Sequence, residues 1–160
     1  MAKQLKIKRF RSAASFGKRQ EFVAIAELLR RGFDVYLTLV DDQQIDCVVR
    51  RDTANGPRYL DLQIKARSSE AKNPGMFAAM TVRKPRKNFF FIFYSERVNT
   101  YWVLPSLELI KEARQNKAGK NAGKYSINFV NVSTRTGEAR TRPRFEKYLD
   151  KFGLLHAALA

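Results

Sequence analysis

Apolar residues recur at helical spacing near the start of the chain. The spacing i, i+3, i+4, i+7 predicts an amphipathic helix over about residues 17–31, capped by Ser15 and ended by Gly32. The predicted core-facing stripe consists of Phe22, Ile25, Ala26 and Leu29. Glu21 lies at the margin of this stripe, so we expect its carboxylate to point toward the domain. The basic residues 1–14 before the helix are expected to form either a flexible arm or an edge strand through 5–7.

Alternating apolar and polar positions next predict a three-stranded meander, with strands over residues 33–40, 45–50 and 59–66. Residues 41–44 are expected to form the first turn. Residues 52–57, which contain Asn55-Gly56, are expected to close the hairpin between the second and third strands.

The second half of the chain is read in the same way. Residues 67–88 are polar and basic, and predict a long loop with one helical turn near Met76. The nearly continuous apolar run 89–94 predicts a strand buried on both faces, with residues 100–104 as its partner. The remaining predicted elements are a helix over 105–113, a strand over 125–130 and a helix over 144–159 broken at Gly153. This order predicts one mixed-sheet α/β domain over residues 15–160, after the arm 1–14.

Charge narrows the range of partners. Lys and Arg number 31 against 15 acidic residues, a formal net charge of +16, while 44% of the chain is hydrophobic. A folded domain with this excess of cations suits a polyanion, and nucleic acid fits better than a membrane surface because no basic amphipathic helix is evident. The single cysteine, Cys47, permits no disulfide within the chain. With no signal-like segment and no run of 18 apolar residues, we expect a cytoplasmic protein that does not enter membranes.

The acidic residues are unevenly spread, since six of the 15 fall between residues 34 and 61. Asp46 heads the second predicted strand, and Gln63 and Lys65 project from one face of the third, because side chains two apart share a face. Mg²⁺ prefers hard oxygen ligands and is usually held by one or two carboxylates plus substrate phosphate. A carboxylate, an amide oxygen and a lysine therefore predict a site that holds a divalent cation and stabilises an attacked phosphate.

These residues resemble the PD-(D/E)XK nuclease superfamily over about residues 15–113, through Glu21, Asp46 and Gln63-Ile64-Lys65. Residues 60–65 resemble its catalytic strand, and 101–105 resemble a later strand that ends in proline. The resemblance is to a small bacterial branch, similar to homing endonucleases, that carries Gln in the D/E-X-K element. It implies a restriction-endonuclease-like α/β core with a mixed central β-sheet flanked by helices.

The resemblance also implies a Mg²⁺-dependent DNA endonuclease of homing, restriction or resolvase type, with Mn²⁺ as a substitute. Asp46 would be the main metal ligand, Gln63 the second, and Glu21 an outer or second-metal ligand, with Lys65 stabilising charge and activating water. A small chain that cuts both strands of a duplex is expected to be a homodimer or a tetramer. Two departures stand out: Ile45 replaces the motif's proline, and Gln63 replaces its acidic residue and so brings no charge to the metal.

Basic and hydroxyl side chains outside the catalytic group are predicted to contact nucleic acid. Arg67 and Ser68 directly follow the catalytic strand, and residues 83–87 form the densest basic run. The full predicted set is Lys18, Arg67, Ser68, Arg83, Lys84, Arg86, Lys87, Lys120, Arg140 and Arg142. Contacts from such residues to phosphates supply affinity that depends steeply on salt.

Other interpretations remain open at this point. Asp46 could only close a turn, Gln63 and Lys65 could lie on the solvated face of an edge strand, and Glu21 could be an ordinary surface residue. A catalytically degenerate nucleic-acid-binding module of the same fold is the principal alternative function, and Gln63 favours it. An RNA-associated structural protein would also explain the charge.

Overall fold

The computed structural model describes residues 12–40 and 43–160. The predicted basic arm 1–14 therefore lies almost entirely outside the described residues, and so do the edge strand suggested for 5–7 and part of the turn at 41–44. Among the described helices, none is both long and apolar enough to cross a membrane.

A five-stranded mixed sheet forms the centre of the molecule, in the order β1-β2-β3-β5-β6. Its strands are β1 Asp34–Leu37, β2 Cys47–Thr53, β3 Gly56–Arg67, β5 Phe89–Ser95 and β6 Thr100–Pro105. β3 pairs antiparallel with β2 and parallel with β5, and the other neighbouring strands pair antiparallel. The expected mixed central sheet is confirmed, and β3 lies in its middle.

Two helices cover one face of this sheet: α1, Ala13–Arg30, and α3, Gly153–Leu159. Ala24, Ile25 and Leu28 of α1 pack with alternate residues of the strands in a single apolar cluster. Leu155 and Leu159 of α3 complete that cluster.

The opposite face is covered by smaller elements. They are β4 Met76–Met80, α2 Ser106–Glu112, β7 Arg114–Gln115, β8 Tyr125–Asn128, β9 Val130–Val132, β10 Ala139–Thr141 and 3₁₀ helices over Gly119–Asn121 and Pro143–Tyr148. Three of the strands form a small second sheet in the order β4-β8-β7, and β9 pairs with β10. The core here is aromatic: Phe129 stacks on Trp102 with ring centroids 4.8 Å apart and packs beside Phe93 and Phe145.

The first helix differs from its prediction in start and in orientation. It begins at Ala13 because Ser12 caps it: the Ser15 N–H donates to Ser12 Oγ at 3.2 Å, so Ser15 is not the cap. Of the predicted core stripe only Ile25 is buried: Phe22 and Leu29 are each 55% exposed, and Ala26 is exposed as well. The helix carries two apolar stripes, and the one that contains Ala24 and Leu28 is the stripe that meets the sheet.

Two further expectations are corrected. The helical turn expected near Met76 is strand β4, which pairs with β8 and so completes its backbone hydrogen bonds in a sheet. The helix expected over 144–159 is a 3₁₀ helix followed by the separate helix α3, with the break at Asp150, whose φ is +50°, and not only at Gly153.

The glycines offer a direct test of this packing. A Cβ at Gly75 would lie 2.8 Å from the side chain of Val130 and 2.9 Å from its backbone nitrogen, so Gly75→Ala should destabilise the fold by about 1–3 kcal/mol. Gly17, inside α1, has nothing within 4 Å of such a Cβ, and Gly17→Ala should stabilise by about 0.5–1 kcal/mol through helix propensity. Urea denaturation of both variants checks this, and equal stabilities would contradict the packing at Gly75.

Candidate active site

The central strand β3 carries the predicted catalytic pair. Gln63, Lys65 and Arg67 project from one face of β3, opposite Phe91, Phe93 and Ser95 of β5. Gln63 is only 3% exposed, and β3 has a paired neighbour on each side. The interpretation of Gln63 and Lys65 as residues on the solvated face of an edge strand is therefore wrong.

Asp46 lies directly before β2 and is tied to β3 by two hydrogen bonds. Its backbone N–H donates to the carbonyl oxygen of Leu62 at 2.9 Å. Its side-chain Oδ2 accepts a hydrogen bond from the backbone N–H of Ile64 at 2.6 Å. The two bonds flank Gln63, so the Asp46 carboxylate lies beside the Gln63-Ile64-Lys65 segment, as the sequence pattern indicated.

The side-chain oxygen of Gln63 is an orphaned buried acceptor. Its Oε1 has no hydrogen-bond partner among residues 12–40 and 43–160. Leaving a buried polar atom unsatisfied costs about 1–3 kcal/mol, and native proteins seldom do so without a reason. A cation or an ordered water at this position would supply the missing partner.

Glu21 lies on α1, which packs against β3, and only 20% of its side chain is exposed. Lys18, one turn earlier, forms an ion pair with it. The pKa of the buried Cys47 thiol responds to the charged groups near it. Burial, and after it the negative charges of Asp46 and Glu21, raise the pKa of Cys47 to about 12. Two carboxylates therefore act on the start of β2 from different elements, and the thiol there stays protonated at neutral pH.

The other described acidic residues of the 34–61 cluster are held by arginines. Asp61 forms an ion pair with Arg86, while Arg50 binds Asp52 at 2.6 Å and Asp34 at 3.7 Å. Across the described ranges 12–40 and 43–160, no group of three or more His, Cys, Asp or Glu side chains is arranged to hold a metal ion. A cation at this site would need the Gln63 oxygen and a substrate oxygen beside the carboxylates, a ligand set that suits Mg²⁺.

Lys65 lies two residues beyond Gln63 and is partly buried. The structure shows no ion pair or hydrogen bond from its ammonium group to any described residue. A cation without a carboxylate partner, on the same strand face as Gln63, is positioned to meet an anionic substrate group.

A network that sequence reasoning missed joins α1 to the end of β3. Glu96, in the turn after β5, forms an ion pair with Arg19 of α1 and accepts a hydrogen bond from the Ser69 N–H at 3.1 Å. The Glu96 N–H also donates to the carbonyl oxygen of Arg67 at 2.9 Å. Glu96 thus fixes the helix that carries Glu21 relative to the segment after β3. Arg19 and Glu96 are 77 residues apart, and no local pattern marks them.

Part of the predicted nucleic-acid-binding set borders this site. Arg67 has a buried Nε to which no described residue offers a hydrogen bond, and Ser68 follows it in the loop after β3. The Arg83 N–H donates to Gln44 Oε1 at 3.1 Å, which places the basic run beside the segment that precedes Asp46. Lys84 and Lys87 of that run are exposed.

Three predicted arginines have partners within the protein. Arg86 binds Asp61 and lies over the Phe89 ring at 4.7 Å, while Arg140 binds Glu138 at 3.1 Å. Arg142 Nε donates to the Val130 carbonyl oxygen at 3.1 Å. Lys120 is exposed in the 3₁₀ helix Gly119–Asn121, on an element away from β3.

Comparison with known proteins gives structural matches only. No family model and no curated protein sequence matches the chain. The fold is similar to that of the bacterial homing endonuclease I-Ssp6803I, with a TM-score of 0.60 and 21% identity over 90% of this chain and 93% of that one. It is also similar to a nuclease from a fusselovirus, with a TM-score of 0.51 and 14% identity over 95% of each chain. The chain therefore has a fold that nucleases use.

Because its buried oxygen lacks a partner, we expect Gln63 to lower the free energy of unfolding of the metal-free protein. Gln63→Leu should leave stability unchanged or raise it by about 1 kcal/mol, because it removes a buried acceptor that has no partner. Ser106 is a matched control, since its buried Oγ accepts from the Arg86 N–H and donates to the Arg86 carbonyl oxygen, both at 2.9 Å.

Ser106→Ala should therefore lose about 1–3 kcal/mol, because the Arg86 N–H keeps no partner. Urea denaturation in the absence of divalent metal measures both variants. An equal loss of stability in Gln63→Leu and Ser106→Ala would contradict the orphaned state of Gln63.

Proposed function

We propose that this protein is a Mg²⁺-dependent DNA endonuclease of the PD-(D/E)XK kind, which hydrolyses phosphodiester bonds. The observation that carries the proposal is the Asp46 carboxylate held by the Ile64 N–H beside the orphaned Gln63 oxygen. The similarity of fold to a homing endonuclease and to a viral nuclease supports it. The net charge of +16 suits DNA as the substrate.

Asp46, Gln63 and Glu21 would hold the cation, and Mn²⁺ is expected to replace Mg²⁺. When bound, the cation would polarise the phosphoryl oxygen and lower the pKa of a water. The side chains of Asp46 and Lys65 would position the cation and the phosphate. Asp46 is fixed by the backbone of β3, and Lys65 offers an unpaired ammonium to the phosphate, where it stabilises the charge that develops as water attacks.

Lys65→Ala should abolish cleavage of plasmid DNA and leave binding to within a few-fold of wild type, since one phosphate contact is a small part of the affinity. Lys151→Ala is the charge-matched control, because Lys151 is exposed and lies two residues after Leu149, which bridges to Trp102 of the edge strand β6. Cleavage assays and filter binding with each variant measure the two effects separately. Full cleavage by Lys65→Ala would refute the assignment of Lys65.

A catalytically degenerate DNA-binding module is the second candidate, and the neutral Gln63 ligand favours it. Such a module would bind DNA in Mg²⁺ or Mn²⁺ without cutting it, and Asp46→Ala would not alter its binding.

We propose that the enzyme acts in the cytoplasm as a homodimer or tetramer, because each chain carries one such site and a duplex has two strands to cut. Exposed apolar side chains favour self-association: Leu37 on the edge strand β1 is 54% exposed and Leu39 is fully exposed.

The oligomer proposal predicts a solution mass of two or four times the 18.5 kDa of the chain by light scattering. Leu37→Asp combined with Leu39→Asp should shift the mass toward that of the monomer, because charge at the interface opposes association. A monomeric mass for the wild type at every concentration would contradict the proposal.

A further inference from the structure

The small sheet β4-β8-β7 joins two stretches of the chain that contain no acidic residue. β4 belongs to residues 71–95, and β7 and β8 belong to residues 113–137. Each stretch carries five Lys or Arg residues and no Asp or Glu, so all 15 acids of the chain lie elsewhere. The fold therefore concentrates positive charge on one sheet and its connections. The sequence predictions named some cations of both stretches but not the sheet that joins them.

The inner face of the small sheet packs on the side of the central sheet that carries the candidate site. Phe77 of β4 and Ile127 of β8 pair with each other and are buried in the aromatic core. The Phe77 and Phe93 ring centroids are 4.8 Å apart, and Phe93 lies opposite Lys65 in the register of β3 and β5. The small sheet therefore covers the face that carries Gln63 and Lys65, and α1 and α3 cover the other face.

Alternation along β8 determines which side chains face away from that core. Ser126 precedes the buried Ile127 and therefore lies on the outer face. Arg114 of β7 is opposite Ser126 in the register and shares this face. Lys124 directly precedes β8, and its carbonyl oxygen accepts from the Asn116 N–H at 2.9 Å, which extends the ladder between β7 and β8. The same alternation places Lys124 on the outer face, near Arg114.

These two outward cations have no carboxylate partner among the described residues. Arg114 is exposed, and the acid nearest to it in sequence, Glu112, binds Lys147 at 2.9 Å. The Lys124 ammonium donates to Asn121 Oδ1 at 3.3 Å, a neutral acceptor that does not compensate its charge. A sheet face with several cations and no internal counter-ion is suited to an external polyanion.

We propose that the outer face of the small sheet is a further contact surface for duplex DNA, centred on Arg114 and Lys124. Lys117 and Lys120, both exposed in the connection between β7 and β8, extend this surface. Such a face suits duplex DNA, because the major groove admits a β-ribbon and the phosphates beside the groove bind cations. The surface supplies affinity and touches none of the reacting atoms. The inference rests on the proposed function for its substrate, but its test does not require cleavage.

The test measures binding of a 30-base-pair DNA duplex in EDTA, over a range of salt concentrations, to the wild type and to Arg114→Gln combined with Lys124→Gln. Loss of two phosphate contacts should reduce the slope of log affinity against log salt by about 1.8, since each contact contributes about 0.9. The affinity at about 0.1 M salt should fall at least tenfold. An RNA duplex of the same sequence should bind less tightly than DNA, because its deep and narrow major groove does not admit the sheet.

The matched control is Arg51→Gln combined with Arg58→Gln. These two exposed residues pair with each other across β2 and β3. They lie on the helical face of the central sheet, because they alternate in step with Val49 and Leu60 of the helical core. The control removes the same charge from the opposite face, so it should keep the wild-type slope.

A second surface variant, Lys117→Gln combined with Lys120→Gln, changes the connection between β7 and β8 and leaves every strand intact. It should lower the slope by a similar amount, which separates loss of charge from damage to the small sheet. A wild-type slope in both surface variants, or an equal loss in the control, would overturn the proposal. Tighter binding of the RNA duplex than of the DNA duplex would overturn the choice of DNA as the partner.

These outcomes are distinct from those of the catalytic proposal. A protein that binds DNA through the small sheet but never cuts it would refute the nuclease and keep the contact surface. A protein that cuts DNA while both surface variants bind with the wild-type slope would do the reverse.

Discussion

The hydrogen bond from the Ile64 N–H to the Asp46 carboxylate is the constraint on which the candidate site depends. It forms only because the ladder between β2 and β3 runs in a register that places Asp46 beside Gln63. A slip of one residue would turn Gln63 and Lys65 toward the helical layer and move Leu62 and Ile64 out of their core. The apolar core therefore specifies the geometry of the candidate site, since the same alternation places Leu62 in the core cluster and Gln63 on the opposite face.

The position of β3 in the sheet explains why this geometry can be rigid. β3 pairs antiparallel on one side and parallel on the other, and the aromatic side chains of β5 pack beside its polar face. Gln63 is buried there, and its Oε1 has no hydrogen-bond partner in the part of the chain that the structure describes. The free-energy penalty of a buried polar atom without a hydrogen bond is tolerated at functional sites, where a bound ligand supplies the missing interaction. Glu96 and Arg19 add to this rigidity, because their ion pair and the backbone bond of Glu96 hold α1 and the end of β3 together.

The apolar patterns were enough to predict the five strands of the central sheet and to bring Asp46, Gln63 and Lys65 together, because period-two patterns assign side chains to a face. The orientation of α1 could not be read in this way. Phe22 and Leu29, seven residues apart, share a helix face just as Ala24 and Leu28 do at four residues apart, and only the sheet decides which face is covered. The ion pairs Asp61–Arg86 and Arg19–Glu96 join residues far apart in sequence. A local sequence pattern therefore cannot predict them. Strand β4 was missed because its partner, β8, lies about 50 residues away.

The most direct test of the account compares the wild type with Asp46→Ala on supercoiled plasmid and on a branched DNA junction, in Mg²⁺, Mn²⁺ or EDTA. If Asp46 holds the metal, plasmid nicking or linearisation should require the metal and disappear in the variant. The preferred substrate would then separate homing or restriction from junction resolution. Metal-independent cutting, or cutting that survives in Asp46→Ala, would show that the chemistry lies elsewhere and would contradict the site built on β2 and β3.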